Sequence, residues 1–155
     1  MFRLTFLILA ALLSPAVASA ISPATGKPMT ATEAYERVRT ARAFTLANEA
    51  DAGVPTLEER SFLKLLKGSQ PAKKFESLVA QGTIGGRMYA LLGLKYTAPK
   101  VFSEKLPKFL RSWRKVPVVI SPDGKTKNLW VRNVAGQIRD RDDSRYLKTA
   151  ARRAE

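Results

Sequence analysis

Basic and aromatic side chains are concentrated in one stretch of the chain, from Lys95 to Lys115. The stretch carries seven basic residues and a single acidic one, Glu104, and it contains Trp113. Further along, Trp130 and Arg132 share one face of a predicted strand because they are two residues apart. Basic side chains beside aromatic rings bind phosphate groups and stack on bases or sugars. The sequence therefore predicts an anion-binding site made of Lys100, Lys108, Arg111, Arg114, Lys115, Trp130 and Arg132.

A purely structural interpretation of the same stretch stays open. Phe102, Leu106, Phe109 and Trp113 recur at helical spacing, which is typical of the buried face of a helix. On this interpretation Trp113 is a core residue and the lysines around it are only solvated. The two interpretations differ in the exposure of Trp113.

A second candidate for anion binding is the glycine-rich segment 82–87. Gly85, Gly86 and Arg87 stand at the beginning of a predicted helix, where backbone N–H groups and the positive end of the helix dipole attract anions. The segment lacks the lysine and the spacing of a phosphate-binding loop. A tight turn between two helices, with glycine at positive φ, explains these glycines equally well.

Catalytic patterns are few, and each has a structural alternative. Ser61 and Lys64 are spaced for a lysine-activated serine nucleophile, but the partner motifs of such enzymes are missing. Asp140 and Asp142 resemble the start of a calcium loop, although helix capping explains them better. Four acidic residues have the chemistry of a glycosidase carboxylate pair: Glu58, Glu59, Glu76 and Glu104.

The chain contains neither histidine nor cysteine. This composition excludes the usual zinc sites, every Ser-His or Cys-His catalytic pair, disulfide bonds and a cysteine-linked lipid anchor. We therefore predict no metal site and no cofactor. The composition favours a non-enzymatic protein, although the question of enzymatic activity stays open.

The first twenty residues have the pattern of a secretory signal peptide. Arg3 supplies the positive start, residues 4–13 are almost entirely apolar, and Ala18-Ser19-Ala20 is a small-residue cleavage site. The apolar run is shorter than the roughly 20 residues of a spanning helix. We expect cleavage after Ala20 and export to the periplasm or beyond the cell, with no later transmembrane segment.

Cleavage would leave 135 of the 155 residues and lower the net charge by one, from +14 to +13. That length suits one domain with a single core. The basic excess is spread along the whole chain, and such a surface attracts polyanions such as nucleic acid, anionic lipid or acidic envelope glycans.

Local patterns predict a mainly α fold of four or five short packed helices. Capping boxes at Thr30–Glu33 and Thr56–Glu59 begin the first two helices, and the first is expected to extend to about Asn48. Helices then begin at Pro71, Ile84 and Pro99, and the one from Ile84 is apolar almost all round. The glycines at 68 and 82 are placed to end helices, and Pro107 predicts a kink or a two-piece helix.

A β-hairpin is predicted to follow the helices. The segments from Val116 to Ile120 and from Asn128 to Val134 are typical of two strands, and a Ser-Pro-Asp-Gly turn lies between them. The predicted organisation is a signal peptide at 1–20, a flexible leader at 21–29, one helical domain with its hairpin at 30–135, and a polar C-terminal segment at 136–155. That last segment forms either a short helix from Ser144 to Arg153 or a frayed end.

The segment Phe75 to Leu94, with the helix from Pro99 to Arg111, resembles a group of uncharacterised exported bacterial proteins. The matching pattern consists of Phe75, Leu78, Gly82, Thr83, Gly85, Gly86, Tyr89, Ala90, Leu91, Gly93, Leu94, Phe102, Leu110, Arg111 and Ser112. The resemblance implies helical hairpins of the HEAT kind, in which Ala90 and Gly93 allow a neighbouring helix to approach closely. It implies no activity.

These observations favour an exported, non-enzymatic basic protein that binds an anionic envelope or extracellular partner. Two other classes stay open: a small exported hydrolase acting on cell-wall glycan, and a cationic membrane-active toxin. Pro107 within the longest basic helix argues against the toxin, as does the use of that helix's apolar face for the core.

Overall fold

A computed structural model describes residues 28–45, 55–120 and 124–142. The predicted signal peptide, most of the leader and the predicted helix from Ser144 to Arg153 lie outside these ranges. Within them the chain forms α1 (Ala31–Arg39), β1 (Phe44–Thr45), α2 (Leu57–Lys67), α3 (Pro71–Gln81), α4 (Ile84–Thr97), α5 (Pro99–Leu110), β2 (Lys115–Val119), β3 (Thr126–Trp130) and α6 (Val131–Asp140). The prediction of a mainly α fold with a β-hairpin is confirmed. The described ranges hold six helices where four or five were predicted.

Both predicted capping boxes are present. The backbone N–H of Thr30 donates to the Glu33 carboxylate at 2.6 Å, and that of Thr56 donates to Glu59 at 2.8 Å. Each threonine hydroxyl accepts in return from the backbone N–H three residues later. These reciprocal bonds satisfy donors that a helix start leaves without an intrahelical partner.

The predicted length of α1 is wrong. The helix ends at Arg39 instead of continuing to about Asn48, and Phe44 and Thr45 pair in parallel with Val118 and Val119. The Phe44 ring is fully buried and meets the Tyr89 ring edge-on, with 4.9 Å between centroids. Tertiary burial of Phe44 therefore outweighs the local preference for more helix.

Helix α4 lies at the centre of the core, as predicted. Its residues from Met88 to Leu94 are all buried, and it contacts α3, α5, α6, α1 and the sheet. Gly93 lies directly under the buried ring of Phe75, which confirms the close approach predicted at this position. A Cβ at residue 93 would lie 2.5 Å from that ring.

Pro107 does not divide α5, which runs unbroken from Pro99 to Leu110. The proline lies on the exposed side near the helix end, and the carbonyl it leaves without a donor belongs to Ser103, which is also exposed. Water can satisfy that carbonyl, so the cost of an interior proline is small here. Phe102, Leu106 and Phe109 form the buried face as predicted.

The hairpin is present, but its second strand is shorter than predicted. Strand β2 is antiparallel to β3 and lies between β1 and β3 in the sheet. The prediction of strand as far as Val134 is wrong, because α6 begins at Val131 and passes through the expected domain boundary at 135. Residues 131, 134, 135 and 138 are all fully buried, and this spacing is that of one helix face.

Helix α6 is held at its C-terminal end by a lysine from α4. The Lys95 ammonium donates to the carbonyl of Ile138 at 2.6 Å and to the carbonyl of Arg141. The last carbonyls of a helix lack intrahelical donors and carry partial negative charge, so a lysine there is favourable. This contact fixes the position of α6 against α4.

We expect Gly93→Ala to destabilise the protein by about 1–3 kcal/mol, because the new methyl group overlaps the immobile Phe75 ring. Gly136→Ala in α6 is the matched control. A Cβ there meets no atom within 4 Å, so the substitution should stabilise by up to about 1 kcal/mol through helix propensity. Urea unfolding of the two variants checks the prediction, and equal shifts would contradict the close packing of Gly93 on Phe75.

We expect Lys95→Met to destabilise the protein by about 1.5–3 kcal/mol, because two carbonyls at the end of α6 lose a charged donor. Lys100→Met, at an exposed position in α5, should change the free energy of unfolding by less than about 0.5 kcal/mol. Amide hydrogen exchange should show the added opening in 131–140. Protection that is unchanged there would refute the role of Lys95.

Candidate anion-binding site

Trp113 is the most exposed of the large apolar side chains described, with 72% of its surface accessible. It lies beyond the end of α5, in the segment that joins α5 to β2. The interpretation of Trp113 as a core residue is therefore wrong. The helical spacing from Phe102 ends at Phe109, because the helix itself ends one residue later.

Two tryptophans and two cations form one surface cluster, which we call the Trp–Arg cluster: Trp113, Lys115, Trp130 and Arg132. The two indole rings meet edge-to-face, with 6.2 Å between centroids and an interplanar angle of 82°. The Arg132 guanidinium carbon lies 4.0 Å from the centre of the Trp113 ring and 5.5 Å from that of Trp130. The Lys115 ammonium lies 4.8 Å from the Trp130 centroid.

Strand register and a helix start bring the four side chains together. Lys115 and Trp130 are directly opposite each other in the hairpin, so their side chains lie on the same face. The predicted proximity of Trp130 and Arg132 is found, but Arg132 belongs to the first turn of α6 and not to a strand. The backbone N–H of Val131 donates to the carbonyl of Arg114 at 2.9 Å, which ties the start of α6 to the start of β2.

The electrostatic environment of the cluster is positive throughout. Within the described ranges, no carboxylate forms an ion pair with Arg132 or Lys115. The first turn of α6 contains no acidic residue, and Trp130 gives the helix no side-chain cap. Arg132 therefore lies at the positive end of a helix dipole, where a cation is disfavoured and an anion is favoured.

The other predicted basic residues surround the cluster unequally. Arg114 is exposed and lies between Trp113 and Lys115 in sequence, while Arg111 follows the end of α5 and donates to the carbonyl of Pro107 at 3.3 Å. Lys108 is exposed in the last turn of α5. Lys100 is in the first turn, about 12 Å from Lys108 along the helix axis. Within the described ranges, no hydrogen bond, ion pair or cation–π contact joins Lys100 or Lys108 to the Trp–Arg cluster.

Sequence reasoning omitted Trp113 from the predicted site residues, although it supplies the most exposed ring of the cluster. Its position among basic residues was the available signal. The apolar spacing of α5 favours a core position for Trp113 instead. The end of the helix at Leu110 decides between the two interpretations, because Trp113 lies beyond it.

The second predicted anion site, at Gly85, Gly86 and Arg87, is packed against protein backbone. A Cβ on Gly85 would lie 2.6 Å from the carbonyl oxygen of Ala41, and one on Gly86 would overlap that of Val38. The Thr83 backbone N–H donates to the carbonyl of Arg39, the last residue of α1, and the Thr83 hydroxyl donates to that of Ala41. Close approach of α1, and not positive φ, thus explains these glycines.

The Arg87 guanidinium forms hydrogen bonds at the α3 end of the turn between α3 and α4. It donates to the carbonyl of Gly82 at 2.8 Å and to that of Ala80 at 3.2 Å. Its charge therefore complements the C-terminal end of α3. These contacts give Arg87 a structural role.

Three of the residues proposed for serine or carboxylate catalysis, Ser61, Glu59 and Glu76, form other contacts. Ser61 is fully buried and donates to the carbonyl of Leu57 at 2.6 Å, whereas Lys64 is exposed. Glu59 caps α2, and Glu76 lies 4.0 Å from the Lys105 ammonium. Within the described ranges, no group of three or more acidic side chains is arranged to hold a metal ion.

A cleft of about 360 Å³ lies next to β1, on the surface between α2 and the sheet. Glu58 and Tyr89 line it, together with Thr40, Arg42, Ala43, Thr45, Thr56, Val119, Gly124 and Thr126. Residues 46–54 and 121–123, which join parts of this lining, lie outside the described ranges. The Tyr89 hydroxyl accepts from the Thr45 backbone N–H and donates to the Thr45 hydroxyl, both at 3.2 Å.

Burial raises the pKa of Tyr89 well above the ordinary value of about 10. Above pH 10 the unfolded chain loses this phenol proton while the folded chain keeps it, so stability should fall by up to about 1.4 kcal/mol per pH unit. Urea unfolding at about pH 9 and 11 measures the slope. Tyr89→Phe should remove this contribution, and Tyr35→Phe should keep it; identical slopes in all three proteins would contradict the assignment.

Comparison of the chain with known protein families, curated proteins and solved structures finds no significant match. The resemblance to exported bacterial proteins therefore stays a prediction. Among the described helices, none is both long enough and apolar enough to cross a membrane.

Proposed function

We propose that this chain is an exported, non-enzymatic basic protein that binds an anionic envelope or extracellular partner through the Trp–Arg cluster and the basic residues beside it. The observation that carries the proposal is the position of Arg132. Its guanidinium stacks 4.0 Å from the Trp113 ring centre, at the positive end of α6 and without a carboxylate partner in the described ranges. An anion is the ligand that this combination of charges favours.

The distribution of charge supports the same proposal. Arg114 and Lys115 directly follow Trp113 in sequence, and the exposed Lys108 and Arg111 lie at the end of α5. The whole sequence carries a net charge of +14, which attracts anions over a long range. This region concentrates part of that positive charge in one place. Long-range attraction raises the association rate, and the cluster gives the bound anion a defined position.

The two rival functions have less support. The buried Ser61 and the ion-paired Glu76 do not form a catalytic pair with any described neighbour. Phe102, Leu106 and Phe109 of α5 face the core, so the longest basic helix has no free apolar face with which to enter a lipid surface.

We expect the triple reversal Lys108→Glu, Arg111→Glu and Arg114→Glu to abolish most binding to anionic polymers. All three side chains are exposed, so the melting temperature should be nearly unchanged. The probes are polyphosphate, polygalacturonate and vesicles rich in phosphatidylglycerol, each titrated against the protein from residue 21 onward. For a nucleic-acid ligand the logarithm of affinity should fall with that of salt concentration by about 0.7–0.9 per phosphate neutralised.

The matched control reverses three exposed basic residues elsewhere, Arg60, Lys64 and Lys73, and so gives the same net charge. Binding that survives the control but not the first triple reversal locates the site. Equal loss in both variants would mean that net charge alone attracts the polymers. Absence of binding to every probe would refute the proposed function.

A further inference from the structure

We infer that the Trp–Arg cluster is a binding site for single-stranded nucleic acid, in which a base stacks on Trp113 while Arg132 and Lys115 bind phosphates. This inference rests on the proposed function and narrows its ligand class. Such a site needs a flat ring surface open to solvent and cations within reach of the phosphates of the nucleic acid. Its geometry must also suit this ligand better than a membrane or an acidic glycan.

The indole of Trp113 provides the ring surface. It is 72% exposed, and its orientation is set by edge-to-face packing on Trp130 and by the guanidinium of Arg132. A ring held in this way loses little conformational freedom when a ligand stacks on it. Stacking of a base on an aromatic side chain tolerates any base, because every base has a π face.

Arg132 provides the principal phosphate contact. The Arg132 guanidinium carbon lies 4.0 Å from the centre of the Trp113 ring, and within the described ranges its five N–H donors have no hydrogen-bond acceptor. Two parallel donors of this fork match two oxygens of one phosphate. Lys115, 4.8 Å from the Trp130 ring centre, adds a second cation on the neighbouring ring.

A lipid surface fits the arrangement less well. Three large apolar side chains are exposed in the described ranges: Leu57, Trp113 and Ile120. Trp113 and Ile120 flank opposite ends of β2, about 20 Å apart, and Leu57 begins α2. An interfacial anchor needs a continuous apolar face, which these separate side chains do not form.

An acidic glycan is also less suitable because Arg132 and a stacked ring must use different faces of the Trp113 indole. The guanidinium covers one face at 4.0 Å, so a ligand ring takes the exposed side. The anionic group of the ligand must then reach round the indole. In a nucleotide a sugar separates the base from its phosphate, whereas the carboxylate of a uronic acid is attached to the stacking ring itself.

The test compares an oligothymidylate of about 16 nucleotides with an abasic strand of the same length, which keeps the phosphates and lacks the bases. Tryptophan fluorescence of the protein from residue 21 onward reports binding. Trp113→Ala should weaken thymidylate binding about 5- to 150-fold and leave abasic binding unchanged. Trp113→Phe should recover part of the loss, since it restores a smaller ring.

Arg132→Gln should weaken binding to both strands and lower the salt slope by about 0.7, because one phosphate contact is lost. Trp113→Ala should leave that slope unchanged. The melting temperatures of all three variants should stay close to that of the parent protein, since Trp113 is exposed and Arg132 is only half-buried.

Two results would overturn the inference while leaving the proposed function in place. One is equal loss of thymidylate and abasic binding in Trp113→Ala. The other is tighter binding of polygalacturonate or anionic vesicles than of thymidylate, with the same dependence on Trp113. If neither strand nor any other polyanion binds the parent protein, the inference and the proposed function both fail.

Discussion

The rest of the structure depends on the close approach of backbone to helix α4 at its first turn. Gly85 and Gly86 leave room for the carbonyl oxygens of Ala41 and Val38, where any Cβ would overlap them. Thr83 fixes the same approach by donating to the carbonyls of Arg39 and Ala41. These contacts end α1 against α4, and β1 follows within five residues, with Phe44 in the core and paired with Val118. The position of the sheet on the helices therefore depends on Gly85 and Gly86, which have no side chain to block this approach.

The surface cluster is connected to that core through short, well-fixed segments. Strand β2 pairs with β1 on one side and with β3 on the other, so Lys115 and Trp130 take their positions from the sheet. Helix α6 begins directly after Trp130 and is fixed at its other end by Lys95 of the central helix. Because both supports lead to α4, the spacing of Arg132 from the Trp130 indole is determined by the fold, whereas Trp113 lies in the segment that joins α5 to β2.

Much of the architecture could be predicted from the sequence because local signals and packing agree. The capping boxes at Thr30 and Thr56, the proline starts of α3 and α5, and the apolar α4 are all found as expected. Prediction failed where tertiary contacts decided the outcome. Phe44 was expected in a helix but forms strand β1, where its ring fills the core. Val131 was expected in a strand but begins helix α6.

The candidate site divides in the same way. Arg111, Arg114 and Lys115 are close in sequence, as are Trp130 and Arg132, and the charge and ring chemistry of the two groups indicates an anion site without knowledge of the fold. Lys100 was included because it shares the basic stretch, although the helix carries it about 12 Å from Lys108. The predicted site omits Trp113, because its helical spacing is equally typical of a core residue. The position of Trp113 relative to the core depends on where α5 ends, and that end is known only from the structure.

The balance of local energies indicates that the Trp–Arg cluster is not there for stability. Burial of a large apolar side chain stabilises a protein by about 1.5–3 kcal/mol, and exposed Trp113 forgoes most of this. Arg132 lies at the positive end of α6, which costs about 0.3–1 kcal/mol, and its stacking on an indole returns about as much. Lys115 and Arg114 add like charge nearby. A bound anion would offset these unfavourable electrostatic contacts, because the helix dipole and all three cations would each attract a negative group.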